Sequence, residues 1–336
     1  MNSKTKSNFS IMIDMLIVLI VLAAMSIYYY GLRAAFVLTM TTGVSVITDF
    51  ICCKIRNKST EKDISALITG LTLGLMLSAS VPYYAAVIAA VFSIIVAKHA
   101  FGGHGCEIFN AAASGFLFAS LCFPQNMLTY PKPFSEIPMT SNVPADMLSS
   151  SFARSFLLTG SGDLSLVDML IGKFSGPMGT GFVLIMAVAA VFLMFRRSVS
   201  AITFFTELAV LSVYAFFRYD NELLSVAYFL TSNMLLFGMI FLSCDYSIIP
   251  KTKSSRLIYG LVFSLCVIIF CDYSSTENAA IYAVIISSPI GIELDRKALS
   301  FADMVSKRKG LLRKANKPLT HINETLEILE NNEQEK

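Results

Sequence analysis

Between Ile11 and Ile292 the chain is a succession of apolar runs, and that rhythm constrains its fold more than any other feature. Ten runs can be marked, at about Ile11–Tyr30, Ala34–Cys53, Ile64–Ser80, Pro82–Ala97, Ile108–Cys122, Gly181–Phe195, Ala201–Phe217, Leu224–Cys244, Leu257–Cys271 and Ala279–Ile292. Each approaches the ~20 residues that carry a helix across ~30 Å of hydrocarbon, although several fall a few residues short. The expectation is an all-α integral membrane protein of about ten transmembrane helices. Composition agrees: 336 residues with 55% hydrophobic side chains and a mean hydropathy of +0.67 are far from a soluble domain. The first run follows Lys4 and Lys6 but is too long for a signal peptide and lacks a small-residue cleavage pattern, so it reads as a retained span.

Lysine and arginine set the expected orientation. With the N-terminus in the cytoplasm, 21 of the 26 basic residues fall on the cytoplasmic side. Arg33, Lys132, Arg154, Lys173 and Arg218 fall on the other. Both termini are therefore expected in the cytoplasm. The expected organisation is a five-span half over 1–122, an extracytoplasmic loop over 123–180, a second five-span half over 181–294 and a charged cytoplasmic tail over 295–336. An inverted five-plus-five relation between the halves is compatible with this order. The tail carries Lys307-Arg308-Lys309 and is too short for a soluble catalytic domain. It reads as a solvated stretch near anionic headgroups, or as a docking surface for a soluble partner. A net charge of +3 implies no nucleic-acid footprint.

Polar groups within the runs are few. Asp14 and Asp49 lie near span ends, where water reaches an interfacial acid; Asp63 opens the third run, Asp245 closes the eighth and Glu277 precedes the tenth, where helix capping accounts for it. No two are close enough in sequence to announce a proton relay. The seven cysteines show no C-x-x-C or histidine-paired spacing and read as small buried hydrophobes, so no metal site is expected; Cys106 beside Glu107 is the one left open. The string Lys98 to Asn110 places Gly102, Gly103 and Gly105 ahead of a helix start. Such glycines permit positive φ and close approach, and the helix end can hold a phosphate or the polar edge of a flavin. A re-entrant turn that needs glycine for packing explains the string equally well. His99 and His104 in the same turn are ligands or simply solvated, while Gly70, Gly74, Gly115 and Gly260 read as sites of close helix packing. In the loop, Pro124, Pro131, Pro133, Pro138 and Pro144 forbid a long helix, one helix is expected over Ser149–Leu158 with Asp146 or Ser149 as its cap, and Gly160 and Gly162 end it.

Several ordered strings together resemble the D component of the Rnf ion-translocating electron-transport complex and its relative, the B component of the sodium-translocating NADH:quinone reductase. They are Asp63-Ile-Ser-Ala-Leu-Ile-Thr-Gly70, Lys98 through Asn110 running to Cys122-Phe123-Pro124, Leu170 to Gly172, Gly176 to Gly179, Gly238 to Phe241 ending at Asp245, and Glu277. The resemblance covers about residues 11 to 297. It implies a ten-span, multi-pass subunit of the bacterial cytoplasmic membrane that passes electrons through flavin while its complex, made with other subunits, translocates Na⁺ or H⁺. It also implies one FMN esterified to the threonine of a D-x-x-S-G-A-T pattern on the extracytoplasmic face, and a second flavin, riboflavin or FMN, held without a covalent bond. Asp146 and Ser149 match that pattern, but Ser150, Ser151 and Phe152 stand where Gly, Ala and Thr are expected; Asp168, Leu170 and Gly172 support this register. Phenylalanine has no hydroxyl to esterify, which leaves Ser149, Ser150 and Ser151 as the nearby alternatives. Asn110-Ala111 replaces the family's Asn-Pro. Cofactor contacts are thus expected at Ser149, Ser150, Ser151, Gly102, Gly103, Gly105 and Asn110, with no residue marked as catalytic. The alternative is a non-redox transporter or structural subunit on the same scaffold.

Overall fold

A computed structural model describes residues 8–57, 64–103, 105, 107–140, 143–160, 164–219, 223–232, 234–245, 248–274, 277–298 and 300. Met1–Ile292 form one compact unit and Glu293–Lys336 a second. In the second, residues 293–298 are helical and Arg296 meets Glu293 at 3.1 Å, an exposed pair of small energetic weight.

Helix α1 (Asn8–Ile55) departs from helical geometry at Gly31, whose φ of 69° and ψ of −156° lie where glycine alone is comfortable. The chain travels to the loop and returns there. Met12 and Met15 share a cavity with Glu107, Tyr29 near the break donates to the Ile171 carbonyl at 2.9 Å, and Asp49 near the far end pairs with Lys98 at 2.9 Å. The break thus falls between the first two expected spans.

The third run was expected to be helical over Ile64–Ser80, yet α2 (Ser65–Met76) stops early. Pro82 lies just ahead and biases Val81 away from the helical region. Backbone without a helix survives among buried apolar groups only if other partners bond it. Arg33, 1% exposed, supplies them: Nε donates to Ala79 O at 2.7 Å and Nη2 to Ser80 O and Val81 O at 3.2 and 3.4 Å. Its Nη1 reaches into the loop, to Pro138 O at 2.6 Å and to Thr140 O. From the other half of the chain, Met178 N and Gly179 N donate to Leu77 O and Leu75 O at 3.0 and 2.7 Å. A Cβ on Gly179 would lie 2.6 Å from Leu75 Cβ, so only glycine admits this approach.

Helix α3 (Tyr83–Phe92) runs on as a π-helix over Ser93–His99, and α4 (Ala111–Cys122) follows the glycine turn. The small residues act as expected: a Cβ on Gly115 would meet Ala89 O at 2.6 Å, and one on Gly70 would meet Thr41 O at 2.8 Å. Between helices immersed in lipid, such close backbone approach is a main source of packing energy.

The loop holds only short pieces, as its prolines require. Helix α5 (Pro124–Met127) leads to strand β1 (Tyr130–Pro131), which pairs antiparallel with β2 (Leu148–Ser149) in the register Tyr130↔Ser149. Helix α6 (Phe152–Thr159) starts three residues later than expected because β2 claims Ser149. Its cap is Ser151, whose Oγ accepts from Arg154 N at 3.1 Å, rather than Asp146 or Ser149. It ends at Gly160 with φ of 72°. Helix α7 (Leu166–Ile171) completes the loop.

The second half contains α8 (Val183–Phe195), α9 (Ala201–Arg218), α10 (Leu223–Ser232), α11 (Leu235–Phe237) continuing as a π-helix over Gly238–Ser243, α12 (Lys253–Ser274) and a helix through residues 279–292. Among the described residues, Asn8–Ile55, Ala201–Arg218 and Lys253–Tyr273 are long and apolar enough to cross a membrane, and Leu223–Thr231 with Leu235–Ser243 form a bent pair. Ser65–Met76, Tyr83–His99, Ala111–Cys122 and Val183–Phe195 are apolar but shorter.

Candidate functional site

A cavity of about 40 Å³ lies between α1, α2, the start of α4 and the π-helix after α11. One water needs ~10–15 Å³ measured this way, so the space suits two or three waters or one partly hydrated ion. Its polar lining is Thr69, Thr72, Glu107, Asn110 and Asp245, set among Met12, Met15, Leu19 and Phe241. Asn110 knits the site together. Its Oδ1 accepts from Ala113 N at 3.0 Å and so caps α4, while Nδ2 donates to Asp245 Oδ2 at 3.2 Å and Leu242 O at 3.4 Å. Ala111 takes the first helical position, where the backbone N–H is unused, so a proline would fit there equally. Two carboxyls, an amide and two hydroxyls around a small space form an oxygen-rich lining of the kind hard cations prefer.

The glycine turn beside the cavity has the backbone its composition predicts. Gly102, Gly103 and Gly105 adopt φ of 125°, 96° and 83°. Gly102 N and Gly103 N donate to His99 O and Lys98 O at 3.2 and 3.1 Å, closing the turn on the preceding π-helix, and a Cβ on Gly103 or Gly105 would meet open space. The helix starts at Ala111 rather than directly after the glycines, so Asn110 holds the cap and its side chain faces inward, 3% exposed. His104 and Cys106 lie outside the described residues.

The two acids expected near water are buried. Asp49, 5% exposed, receives Lys98 Nζ at 2.9 Å and His99 Nε2 at 2.8 Å, and Lys98 also donates to Ser65 Oγ at 2.6 Å. Cys53 approaches the same group, so that Asp49, Cys53 and His99 each offer a ligand atom within 4.8 Å of the others. Lys98 Nζ, 2.9 Å from Asp49 Oδ1, balances the Asp49 charge, while His99 Nδ1 is buried without a hydrogen-bond partner among the described residues. Asp14, 1% exposed, accepts from Arg196 Nη2 at 2.9 Å and Ser198 Oγ at 2.6 Å. That hydrogen bond and the Asp14 charge hold the Arg196 guanidinium above its usual range. Burial at these positions follows from basic partners distant in sequence, which local patterning does not reveal.

At the loop, Phe152 sits at the first turn of α6, its ring 5.6 Å from Tyr228, 5.9 Å from Phe174 and 6.3 Å from Phe156. The neighbouring hydroxyls are differently placed. Ser149 Oγ is bonded to Tyr130 O at 3.2 Å and Ser175 Oγ at 2.9 Å, Ser151 is 2% exposed and occupied as the helix cap, and Ser150 is exposed. Position 152 therefore does not fit an esterified flavin: it has no nucleophilic oxygen, and an aromatic cluster holds its ring. Glu277, expected as a helix cap, makes no capping bond among the described residues: one carboxylate oxygen is buried without a partner and the other turns to the loop. It is 5% exposed, accepts from the Tyr130 hydroxyl at 3.2 Å, and ties the loop to the chain beyond α12. Burial first, and then the Glu277 charge, push the Tyr130 hydroxyl well above its ordinary pKa.

One acid was not singled out from the sequence. Glu207 is fully buried inside α9, although a carboxyl within the apolar run Ala201–Phe217 is the signal that would have found it.

These features define a helical membrane protein with acids buried among its helices. The chain belongs to the NQR2, RnfD, RnfE family, whose model matches residues 2–295. Similar proteins include the D component of the ion-translocating oxidoreductase complex of Actinobacillus succinogenes, 22% identical over 301 residues covering 79% of this chain and 85% of the relative. The D component of the Na(+)-translocating ferredoxin:NAD(+) oxidoreductase complex of Acetobacterium woodii is 25% identical over 285 residues, 83% and 86% of the two chains. Its counterpart in the proton-translocating ferredoxin:NAD(+) oxidoreductase complex of Clostridium ljungdahlii is 26% identical over 247 residues, 71% and 74%.

Proposed function

We propose that this chain is a membrane subunit of an Rnf-type ion-translocating electron-transport complex, acting with other subunits in a bacterial cytoplasmic membrane, and that it carries the translocated cation through the cavity at Glu107, Asn110 and Asp245. The observation that carries this reading is the oxygen-lined cavity itself, found in a chain whose relatives are named for ion translocation. In this reading Asn110 holds Asp245 at the edge of the site and fixes the start of α4, while Met12, Met15, Leu19 and Phe241 limit water and so strengthen the attraction between carboxylate and cation. The charge distribution supports ten spans with both ends in the cytoplasm and the 123–180 loop outside.

A flavin would supply one- and two-electron transfer. The turn at Gly102, Gly103 and Gly105 suits one held without a covalent bond, because its positive-φ backbone borders open space at Gly103 and Gly105; Asn110, turned inward, fixes the start of the helix that follows the turn. Phe152 offers no covalent attachment. That position also gives weight to a second reading, a non-redox transporter or structural subunit on the same scaffold.

The test is affinity purification of the chain from its native membranes, followed by redox-driven ion uptake in vesicles. The first reading expects redox subunits to co-purify and uptake to fall at least about tenfold in Asp245→Asn, the loss of ~1.4 kcal/mol of cation binding. A chain that purifies alone, and whose deletion leaves redox-driven uptake unchanged, supports the second.

A further inference from the structure

Glu207 lies outside the cavity and outside every ion-pair network described above. It sits in α9 six residues past Ala201, roughly 9 Å along the helix axis, and none of its surface is exposed. One oxygen, Oε2, accepts from Ser243 Oγ at 2.9 Å; the other, Oε1, is buried with no hydrogen-bond partner. Ser243 ends the π-helix Gly238–Ser243 and also donates to Met239 O at 3.1 Å, and irregular helical turns of this kind often accompany functional groups.

The elements packed on α9 offer the carboxyl no cation among the described residues. Beyond the π-helix stands Cys244, whose Sγ donates to Ser200 O at 3.9 Å. From α12 comes Tyr259, within electrostatic reach of the carboxyl, its hydroxyl accepting from Ser287 Oγ at 3.4 Å. Arg256, one turn earlier, is near enough to influence Cys244 but donates to Pro250 O at 2.7 Å. Tyr228 of α10 donates to Leu164 O, and Tyr214 and Arg218 at the far end of α9 both donate to Asp272. A carboxyl enclosed by apolar groups, with one hydroxyl and no counter-charge, meets its desolvation cost by taking up a cation, and the smallest is a proton.

We propose that Glu207 is a proton-exchanging carboxyl inside the membrane, a second cation site distinct from the cavity at Glu107 and Asp245. Oε1 gains the proton and releases it again, and Ser243 keeps Oε2 oriented while it does so. The site itself stands on this geometry; its part in translocation rests on the reading of the chain as a subunit of an ion-translocating complex.

The probe is dicyclohexylcarbodiimide, an apolar reagent that modifies protonated carboxyls within membranes, applied to the chain in its native membrane and mapped by mass spectrometry. The expected result is an adduct at Glu207 that falls about tenfold for each pH unit above its midpoint and is lost in Glu207→Gln. Glutamine copies the shape of the neutral acid, so that variant keeps the fold. An infrared band of a protonated carboxyl, shifted in Ser243→Ala, reads the same site without that variant. No adduct at Glu207 at any pH, or one indifferent to pH, overturns the proposal. Protection by sodium at fixed pH, with none by potassium, overturns it in favour of a sodium site. Labelling of a chain that purifies without redox subunits leaves the proton site standing and removes only its assignment to electron transport.

Discussion

Arg33 offers the sharpest stability test, because five backbone carbonyls converge on one guanidinium. In Arg33→Met the aliphatic stem is largely kept and the donors are lost. Ala79 O, Ser80 O and Val81 O belong to residues no more than 6% exposed, so water does not replace the donors. An unsatisfied buried polar group costs ~1–3 kcal/mol, and the low end applies where a carbonyl keeps a second partner. Pro138 O and Thr140 O lie nearer the surface and add little. The expected loss is therefore about 3–6 kcal/mol, a large share of the ~5–15 kcal/mol that holds a typical protein together. Arg33→Lys, with a single point of donation, should recover only part of it. Reversible unfolding of the purified chain in mixed micelles measures both. A loss under about 1 kcal/mol in Arg33→Met would refute the claim that this side chain replaces the missing helical turns after Met76.

Three further outcomes follow from the same packing. Lys98→Met leaves the buried Asp49 without its lysine, with the His99 hydrogen bond still in place, and should cost about 3–5 kcal/mol, whereas Lys98→Met combined with Asp49→Asn should cost less than the sum of the two; the unfolding cycle reads the coupling directly. Asp14→Asn weakens the bonds from Arg196 and Ser198 and should lower stability by about 1–3 kcal/mol by the same assay, with no change if the pair is merely superficial. Gly179→Ala forces a methyl group to within 2.6 Å of Leu75 Cβ and should destabilise by about 1–3 kcal/mol, seen as a lower melting temperature.

Local pattern carried a good part of this structure. The apolar runs located the helices, Gly31 was a visible gap between the first two, and the prolines after Cys122 announced a loop of short pieces. The glycines at 102, 103 and 105 signalled their positive φ, because no other residue is comfortable there. What sequence did not disclose depends on partners far apart in the chain. Pro82 hints that the helix stops before Val81, but nothing local says that it ends as early as Met76, since the carbonyls beyond are bonded by Arg33 and by Met178 N. Asp14 and Asp49 looked interfacial because Arg196 and Lys98 are remote in sequence. Glu277 passed as a capping acid because its partner, Tyr130, sits 147 residues away. Glu207 is the opposite case: its signal was local and plain, and it was masked only by the strength of the apolar run around it.

Phe152, with no hydroxyl and its ring held against Tyr228 and Phe174, leaves no ester site for a flavin at this position, and a gel tests that reading most directly. The chain is produced together with a flavin transferase able to act on an extracytoplasmic threonine, denatured, separated and viewed for in-gel flavin fluorescence. The account predicts a dark band at 36.8 kDa for the wild type and for Ser150→Ala. A fluorescent wild-type band, extinguished in Ser150→Ala, would show that the exposed serine has taken over the acceptor's role and would contradict the account.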